Sequence, residues 1–196
     1  MGELMANIDS ELDVLQQEIF AAKKRLLEAR QRRPKEPVQD YVLKGVGDVD
    51  VRLSELFGDK DDLILIHNMG ARCPYCTLWA DGFIGLLPHF QNRAAFVVCS
   101  PDSPENQERF AESRGWKFRM VSSPDGKFIK DMGFYEDSGE FPGYWPGFST
   151  FHREPDGSIT RIAKSHFGPG DDFCAVWPMF DMLDGGAKDW EPEFHY

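Results

Sequence analysis

Leu63-Ile64-Leu65-Ile66 is an unbroken apolar run of strand length, the pattern of a strand covered on both faces. A second such run covers residues 94–99. Between them the apolar period changes. Cys76, Trp79, Ala80, Phe83, Ile84 and Leu87 fall at i, i+3, i+4, i+7, i+8 and i+11, one helical stripe that Pro88 is expected to end. Upstream, Ile8, Leu12, Leu15, Ile19, Ala22 and Leu26 mark one face of a helix over about residues 8–33. Acids (Asp9, Glu11, Asp13) lead that helix and bases (Lys23, Lys24, Arg25, Arg30, Arg32, Arg33) trail it, which complements the helix dipole. Pro34-Lys35-Glu36-Pro37 reads as a closing linker.

Residues 40–57 read as a hairpin turning at Gly45-Val46-Gly47-Asp48 and running into a turn of helix, Leu53-Ser54-Glu55-Leu56-Phe57. After the second buried run, Ser100-Pro101-Asp102-Ser103-Pro104-Glu105 opens a helix through Arg114 that Gly115 stops, and Trp116-Lys117-Phe118 resumes the βαβ alternation of an α/β sheet. Residues 133–147, rich in Gly, Pro and aromatics, read as a long irregular loop on the rim of a site. A hairpin follows over residues 148–163, turning at Pro155-Asp156-Gly157. A last helix carries Val176, Trp177, Phe180 and Leu183, with Gly170 and Asp171 suited to its N-cap. The acidic tail beyond Gly185-Gly186 reads as loosely packed.

At 196 residues the chain is long enough for one sizeable core with an extension. Its net charge of −11 argues against nucleic acid and anionic membrane surfaces as partners. Four cysteines with a single close pair make no disulfide framework, so a reducing cytoplasm is expected. Met1-Gly2-Glu3-Leu4-Met5-Ala6 shows neither a signal peptide nor a myristoylation pattern, and no apolar run reaches membrane-spanning length.

That close pair is Cys73-Pro74-Tyr75-Cys76, placed where a strand gives way to a helix. Gly70 allows the turn, and Pro74 suits the first helical position. Cys73 would sit among unpaired N–H groups at the positive end of the helix dipole, so its pKa should fall and its sulfur should attack. Arg72 would push the same way. Cys76 lies one turn on, placed to close a disulfide once Cys73 has attacked. Tyr75 and Trp79 flank the pair. A zinc site would need a second ligand pair, which Cys99 and Cys174 do not form, and no His-x3-5-His exists, so no metal is expected. A permanent structural disulfide would close too short a loop to stabilise much. His67, just before the loop, reads either as a proton acceptor for Cys76 or as a packing histidine. Cys99 reads either as a third redox partner or as inert packing, and Cys174 likewise.

A strand followed by Cys-Pro-Tyr-Cys at a helix start resembles the thioredoxin superfamily, and the tetrapeptide is the one typical of glutaredoxins. The resemblance implies an α/β thioredoxin-like fold, a central mixed β-sheet flanked by helices. Ser-Pro-Asp-Ser-Pro-Glu with Phe110-Ala111-Glu112 resembles a peroxiredoxin segment, an inserted βα unit. Peroxiredoxins place a Pro and a Thr or Ser ahead of the reactive Cys. Here Gly70 stands three residues before Cys73 and the loop has no Pro, which argues against a peroxidase. In thioredoxin-like proteins a cis-proline faces the cysteine pair and docks an extended partner. The matching position is Pro146, followed by Gly147. Gly170-Asp171-Asp172 is similar to a glutathione-holding stretch of glutaredoxins, which leaves glutathione open as a reductant. Cys-x-x-Cys-x-x-Trp-Ala-Asp-Gly-Phe, with Gly115-Trp116-Lys117-Phe118 and Pro146-Gly147-Phe148-Ser149, looks like a bacterial thioredoxin-like family of unknown function described as a predicted dithiol–disulfide oxidoreductase.

The expected organisation is a helical extension over 1–37, a thioredoxin-like domain over 38–185 and a tail over 186–196. The expected activity is thiol–disulfide exchange with a protein or low-molecular-weight thiol partner and no bound cofactor. Two alternatives stay open: a non-catalytic thioredoxin-like module that dimerises through its N-terminal helix, and a peroxiredoxin-like peroxidase.

Overall fold

The computed structural model describes the backbone of residues 2–196 and the side chains of residues 7–196. The segment Met1–Ala6, in which no targeting signal is read, has its side chains outside the described residues. By internal contacts the chain divides into residues 1–35 and residues 36–196. The first unit is helix α1 (Gly2–Gln31) with its exit turn.

In the second unit, β1 (Glu36–Val38), β2 (Val42–Lys44) and β3 (Asp50–Arg52) lead into a 3-10 turn, Leu53–Phe57, and then β4 (Asp62–His67). Helices α2 (Pro74–Phe83) and α3 (Leu87–Arg93), strand β5 (Ala95–Ser100), helix α4 (Pro104–Arg114), strand β6 (Arg119–Ser122) and helix α5 (Lys127–Asp131) follow. Strands β7 (Tyr135–Glu136), β8 (Gly143–Tyr144), β9 (Gly147–Arg153) and β10 (Ile159–His166) precede helix α6 (Val176–Phe180). Among the described residues the main sheet runs β1-β10-β9-β4-β5-β6-β2-β3, with β4, β5 and β6 mutually parallel and β9 antiparallel to β4. This is the mixed α/β sheet expected.

Strand alternation splits the core in two. Leu63 and Leu65 of β4, Val97 and Cys99 of β5, and Phe151 of β9 face a cluster closed by Leu53, Phe57, Phe128 and Ile129. Ile66, Phe96 and Val98 face the opposite side, where Trp79, Ala80 and Phe83 of α2 meet Trp116, Phe167 and Trp177. So α2 covers one face of the sheet, and α5 covers the other.

Several local expectations change. Glu36 and Pro37, read as the end of the Pro34–Pro37 linker, instead begin an edge strand, Glu36–Val38, paired with β10. Proline is tolerated on an edge strand, because its missing donor costs no ladder bond there. The pairing also brings Glu36 to Arg161, whose side chain is only 6% exposed and donates through Nη2 to Glu36 Oε2 at 2.7 Å and through Nη1 to the Met132 carbonyl at 2.7 Å. The α2 stripe stops at Phe83. Gly82 and Gly85 weaken it, Ile84 is exposed, and Pro88 opens α3 instead of ending α2. Residues 133–147 contain the short hairpin β7–β8. The last helix is brief: Ala175, not Asp171, is its N-cap, and Leu183 lies exposed beyond it. The tail is held by aromatics. Trp190 packs edge-on against Trp177 and Phe180, Phe194 packs against Phe110, and Arg114 Nη1 donates to the Phe194 carbonyl at 2.6 Å.

Candidate active site at the Cys73–Cys76 helix

The chain leaves β4 at Asn68 and must turn sharply to start α2 at Pro74. Three polar groups fix that turn. The Asn68 N–H donates to the Cys99 carbonyl at 2.8 Å, extending the β4–β5 ladder by one step. Its side-chain Oδ1 accepts from the Gly70 N–H at 2.7 Å, an Asx-type closure. Asp102 Oδ2 accepts from the Ala71 N–H at 2.7 Å. Asp102 is itself held from β5 and β6: its N–H donates to Ser100 Oγ, and Ser122 Oγ donates to its carbonyl. Gln107, buried on α4, locks Ser100 by donating to its Oγ at 2.8 Å and bridges to the Val121 carbonyl at 2.9 Å.

Cys73 is then the N-cap of α2. Its sulfur accepts from the Cys76 N–H at 3.1 Å, the place a capping oxygen would take. Pro74 fills the first helical turn. The Cys73 pKa is lowered to about 7, chiefly by the hydrogen bond from the Cys76 thiol and further by the Cys76 and Tyr75 backbone N–H groups, against the opposing cost of burial. Cys76 is 3% exposed, and its pKa is pushed well up by that same hydrogen bond and by burial. The Met69 N–H donates to its sulfur at 3.4 Å and pulls the other way. Both cysteines are free thiols. The pair thus holds one proton on the buried sulfur and leaves the partly exposed sulfur about half ionised near neutral pH. Arg72 adjoins the pair but is exposed, and the stabilisation comes from the helix start and Cys76, not from its guanidinium.

Aromatic side chains wall the site on the α6 side. Tyr75 stacks on Trp177 with centroids 6.1 Å apart, and Trp79 stacks on Phe167 at 5.5 Å. The indole N–H of Trp79 donates to Asp171 Oδ2 at 3.0 Å. Asp171 also accepts from the Gly168, Phe173 and Cys174 N–H groups, so both of its oxygens are committed within the chain. Further along α2, Asp81 accepts from Trp116 Nε1 at 2.8 Å and pairs with Arg114. The Trp-Ala-Asp-Gly-Phe run is therefore the set of anchors that pins α2 to its neighbours. Two open grooves flank the cysteines. One, of about 530 Å³, runs past Arg72, Asp102, Asn106 and Arg109, and the other, of about 600 Å³, runs past Tyr75, Pro169, Trp177, Lys188 and Trp190.

His67 and Cys99, each read either as a redox group or as packing, lie on the other face of the sheet. His67 shares the Leu63–Leu65 side of β4, the face opposite α2. Its Nε2 lies 3.0 Å from Ser149 Oγ, and its ring stacks on Phe134 at 3.9 Å. Its alternation within the strand fixes this, so it is a core histidine rather than a base for Cys76. Cys99 is fully buried on that same face, and burial raises its thiol pKa far above the ordinary value. Cys174 does lie on the α2 side, buried with Trp79 and Trp177, and burial raises its pKa too.

Pro146 and Gly147 also differ from expectation. No peptide bond is cis among the described residues. The Pro146 carbonyl accepts from the Phe167 N–H at 2.9 Å, and the Trp145 N–H donates to the Phe134 carbonyl at 2.9 Å. The backbone that would pair with a docked peptide is spent inside the chain. Gly147 sits opposite His67 in the β4–β9 register, and a Cβ there would meet the Ser165 carbonyl, Phe134 Cε1 at 2.5 Å and the His166 Cα at 2.9 Å. Its small size serves close packing.

Sequence reading misses Asn68 and Asp102 as parts of the site. Asp102 acts on Ala71 across 31 residues, and its only signal is the Ser-Pro-Asp-Ser-Pro-Glu turn.

No His, Cys, Asp or Glu group among the described residues is arranged to hold a metal ion. No described helix is long and apolar enough to cross a membrane.

The sheet order with a dithiol at the start of α2 defines a thioredoxin-fold protein. Over residues 7–193 the chain matches, and belongs to, the family described as "Bacterial protein of unknown function (DUF899)". Among solved structures it is similar to peroxidoxin BcpB from Mycobacterium tuberculosis, with 26% identity and a TM-score of 0.52 over 64% of this chain and 80% of that one. It is similar also to a cysteine-to-serine mutant of PrxQ from Xylella fastidiosa (20%, TM-score 0.56, 68% and 85%). Reduced Prx3 from Vibrio vulnificus, in complex with hydrogen peroxide, is a third (17%, TM-score 0.55, 69% and 88%). No match was found among curated proteins.

Proposed function

We propose that the protein is a dithiol–disulfide oxidoreductase. The observation that carries this reading is the asymmetric pair: a partly exposed Cys73 whose pKa is about 7, beside a buried Cys76 that keeps its proton. The Cys73 thiolate attacks one sulfur of a substrate disulfide, and the other substrate sulfur leaves as a thiolate. Cys76 then gives up its proton, its developing charge met by the Met69 N–H, and attacks Cys73. The second substrate thiolate leaves and takes a proton. The substrate disulfide gains two electrons, and a Cys73–Cys76 disulfide forms. A second thiol, of protein or small molecule, returns the pair to the dithiol. The grooves past Arg72 and Tyr75 are open enough to admit an extended partner.

The likeness to peroxidoxin BcpB favours a second reading, peroxidase activity, and the site speaks against it. Position 70 has φ +111°, and a Cβ there would lie 2.7 Å from Asp102 Oδ2. A Thr or Ser there would strain the backbone and displace the Asp102 carboxylate from the Ala71 N–H.

Equilibration in dithiothreitol or glutathione buffers, with trapping of free thiols, tests the proposal. A reversible two-electron transition between about −120 and −270 mV, lost in Cys73→Ser, is expected. Absence of a Cys73–Cys76 disulfide at every poise overturns it. Rapid turnover of hydrogen peroxide by the reduced protein, surviving Cys76→Ala, would instead select the peroxidase reading.

A further inference from the structure

We infer that α1 is one half of an antiparallel two-stranded coiled coil formed with α1 of a second copy of this chain. Its apolar positions Ile8, Leu12, Leu15, Ile19, Ala22 and Leu26 are spaced 4, 3, 4, 3 and 4 residues apart. This 4-3 alternation is that of a heptad a/d seam, two positions in every seven residues and a narrower stripe than that of a helix lying on a globular core. The seam side chains are 43 to 58% exposed, apart from the small Ala22. Phe20 and Leu27 are exposed as well, at b positions outside the seam.

Orientation follows from the register. In an antiparallel pair an a residue meets a d residue of the other helix. Taking Ile8, Leu15 and Ala22 as d, and Leu12, Ile19 and Leu26 as a, one alignment joins every layer. Ile8 meets Leu26, Leu12 meets Ala22, and Leu15 meets Ile19, each pairing occurring twice about the two-fold axis. No seam residue between Ile8 and Leu26 is left without a partner.

The flanking charges choose the same arrangement. The g positions are Glu11, Glu18, Arg25 and Arg32, and the e positions are Asp9, Gln16, Lys23 and Arg30. Antiparallel packing sets g against g and e against e, so Glu11 faces Arg25 and Asp9 faces Lys23, twice each, at the cost of one Glu18–Glu18 contact near the axis. Parallel packing sets each g against the e residue five positions on. Only Glu18–Lys23 would then attract, Arg25 would oppose Arg30, and Glu11 would meet neutral Gln16. The acid-first, base-last order of α1 complements itself only when one helix is reversed.

Three heptads are the short end of what holds two helices together, so a reversible dimer is expected. Sedimentation equilibrium on the full chain should show a monomer–dimer equilibrium, and Leu15→Glu should raise the dissociation constant on the order of a hundredfold or more. A chain that remains monomeric at about 100 μM, where a micromolar dimer would be nearly saturated, overturns the inference; so does a stable tetramer.

Orientation is read by cross-linking in a Cys73→Ser/Cys76→Ser background. Leu12→Cys with Ala22→Cys should form interchain disulfides and Leu12→Cys alone should not, whereas a parallel pair, which sets Leu12 against Leu12, would cross-link Leu12→Cys alone. Charge is read by mixing. Glu11→Lys and Arg25→Glu should each weaken self-association, and the two variants together should recover it as a heterodimer. Failure of the mixture to recover the dimer overturns the register.

Discussion

Gly70 and Asp102 are in contact distance across the active-site loop: a Cβ built on Gly70, whose φ is +111°, would lie 2.7 Å from Asp102 Oδ2. The same oxygen accepts the Ala71 N–H, so the carboxylate can approach the backbone only because position 70 has no side chain. Gly70→Ala should therefore cost about 2 kcal/mol or more, from the backbone conformation and the collision together. Adding Asp102→Ala to Gly70→Ala removes the collision but not the backbone strain. In urea unfolding, the cost of Gly70→Ala should be smaller in the Asp102→Ala background than in the wild type.

The Cys73 thiolate depends first on the Cys76 thiol. Cys76→Ala should raise the Cys73 pKa from about 7 toward the ordinary thiol value of about 8.5, leaving only the backbone N–H groups. Thiolate absorbance in the near ultraviolet, or the pH dependence of alkylation, measures it directly. In the wild type the alkylation rate should climb through about pH 7 and level off above, because a lowered pKa means the reactive form accumulates earlier. An unchanged midpoint in Cys76→Ala would assign the shift to the helix start alone.

Much of this site is legible in the sequence because its signals are local. The apolar run of β4, the Cys-Pro-Tyr-Cys spacing and Pro74 at the first helical turn each act within a few residues, and together they place Cys73 at the N-cap of α2. What escapes reading is carried by long-range pairs. The Trp79–Asp171 and Asp81–Trp116 hydrogen bonds span 92 and 35 residues, and no periodicity announces either. His67 shows the same limit from the other side. Standing next to the cysteine loop in sequence says nothing of which sheet face a side chain takes, whereas strand alternation, counted from Leu63 and Leu65, does. Pro88 misleads because a proline suits the first turn of a new helix as well as the end of an old one. Gly82 and Gly85, which weaken the helix before it, make the choice.

Arg161 tests how β1 is held. Its guanidinium is nearly inaccessible and is matched by Glu36 and the Met132 carbonyl. Glu36→Ala leaves a buried cation short of its counter-charge, and a loss of about 2 kcal/mol is expected, below the full penalty for an interior pair because Glu36 is 42% exposed. Replacing both partners (Glu36→Ala with Arg161→Met) removes the charge as well as its partner. The double variant should unfold at higher denaturant than Glu36→Ala alone; equal or lower stability would show that Arg161 packs by its stem rather than through its charge.

His67 sets the acid side of the stability profile. It is fully buried, its Nδ1 has no hydrogen-bond partner among the described residues, and burial, together with the positive charge of Arg161, holds its pKa well below the ordinary histidine value. In the unfolded chain the same ring titrates near about 6.5. Between those two values the unfolded state binds a proton that the folded state refuses, so stability is present above about pH 6.5 and drains away as the pH falls. The slope for one such group is on the order of 1 kcal/mol per pH unit. His166, also shifted down by burial, adds to it in the same direction. His67→Phe keeps the ring against Phe134, removes the proton site and gives up the Ser149 contact. It should therefore start less stable at pH 7 and lose less on acidification. Denaturant midpoints taken at about pH 7 and about pH 5 should converge between wild type and variant, by about 1 kcal/mol or more. Parallel losses would mean that other groups, such as Asp62, whose carboxyl is held down by His152 and Arg93, govern the acid limb instead.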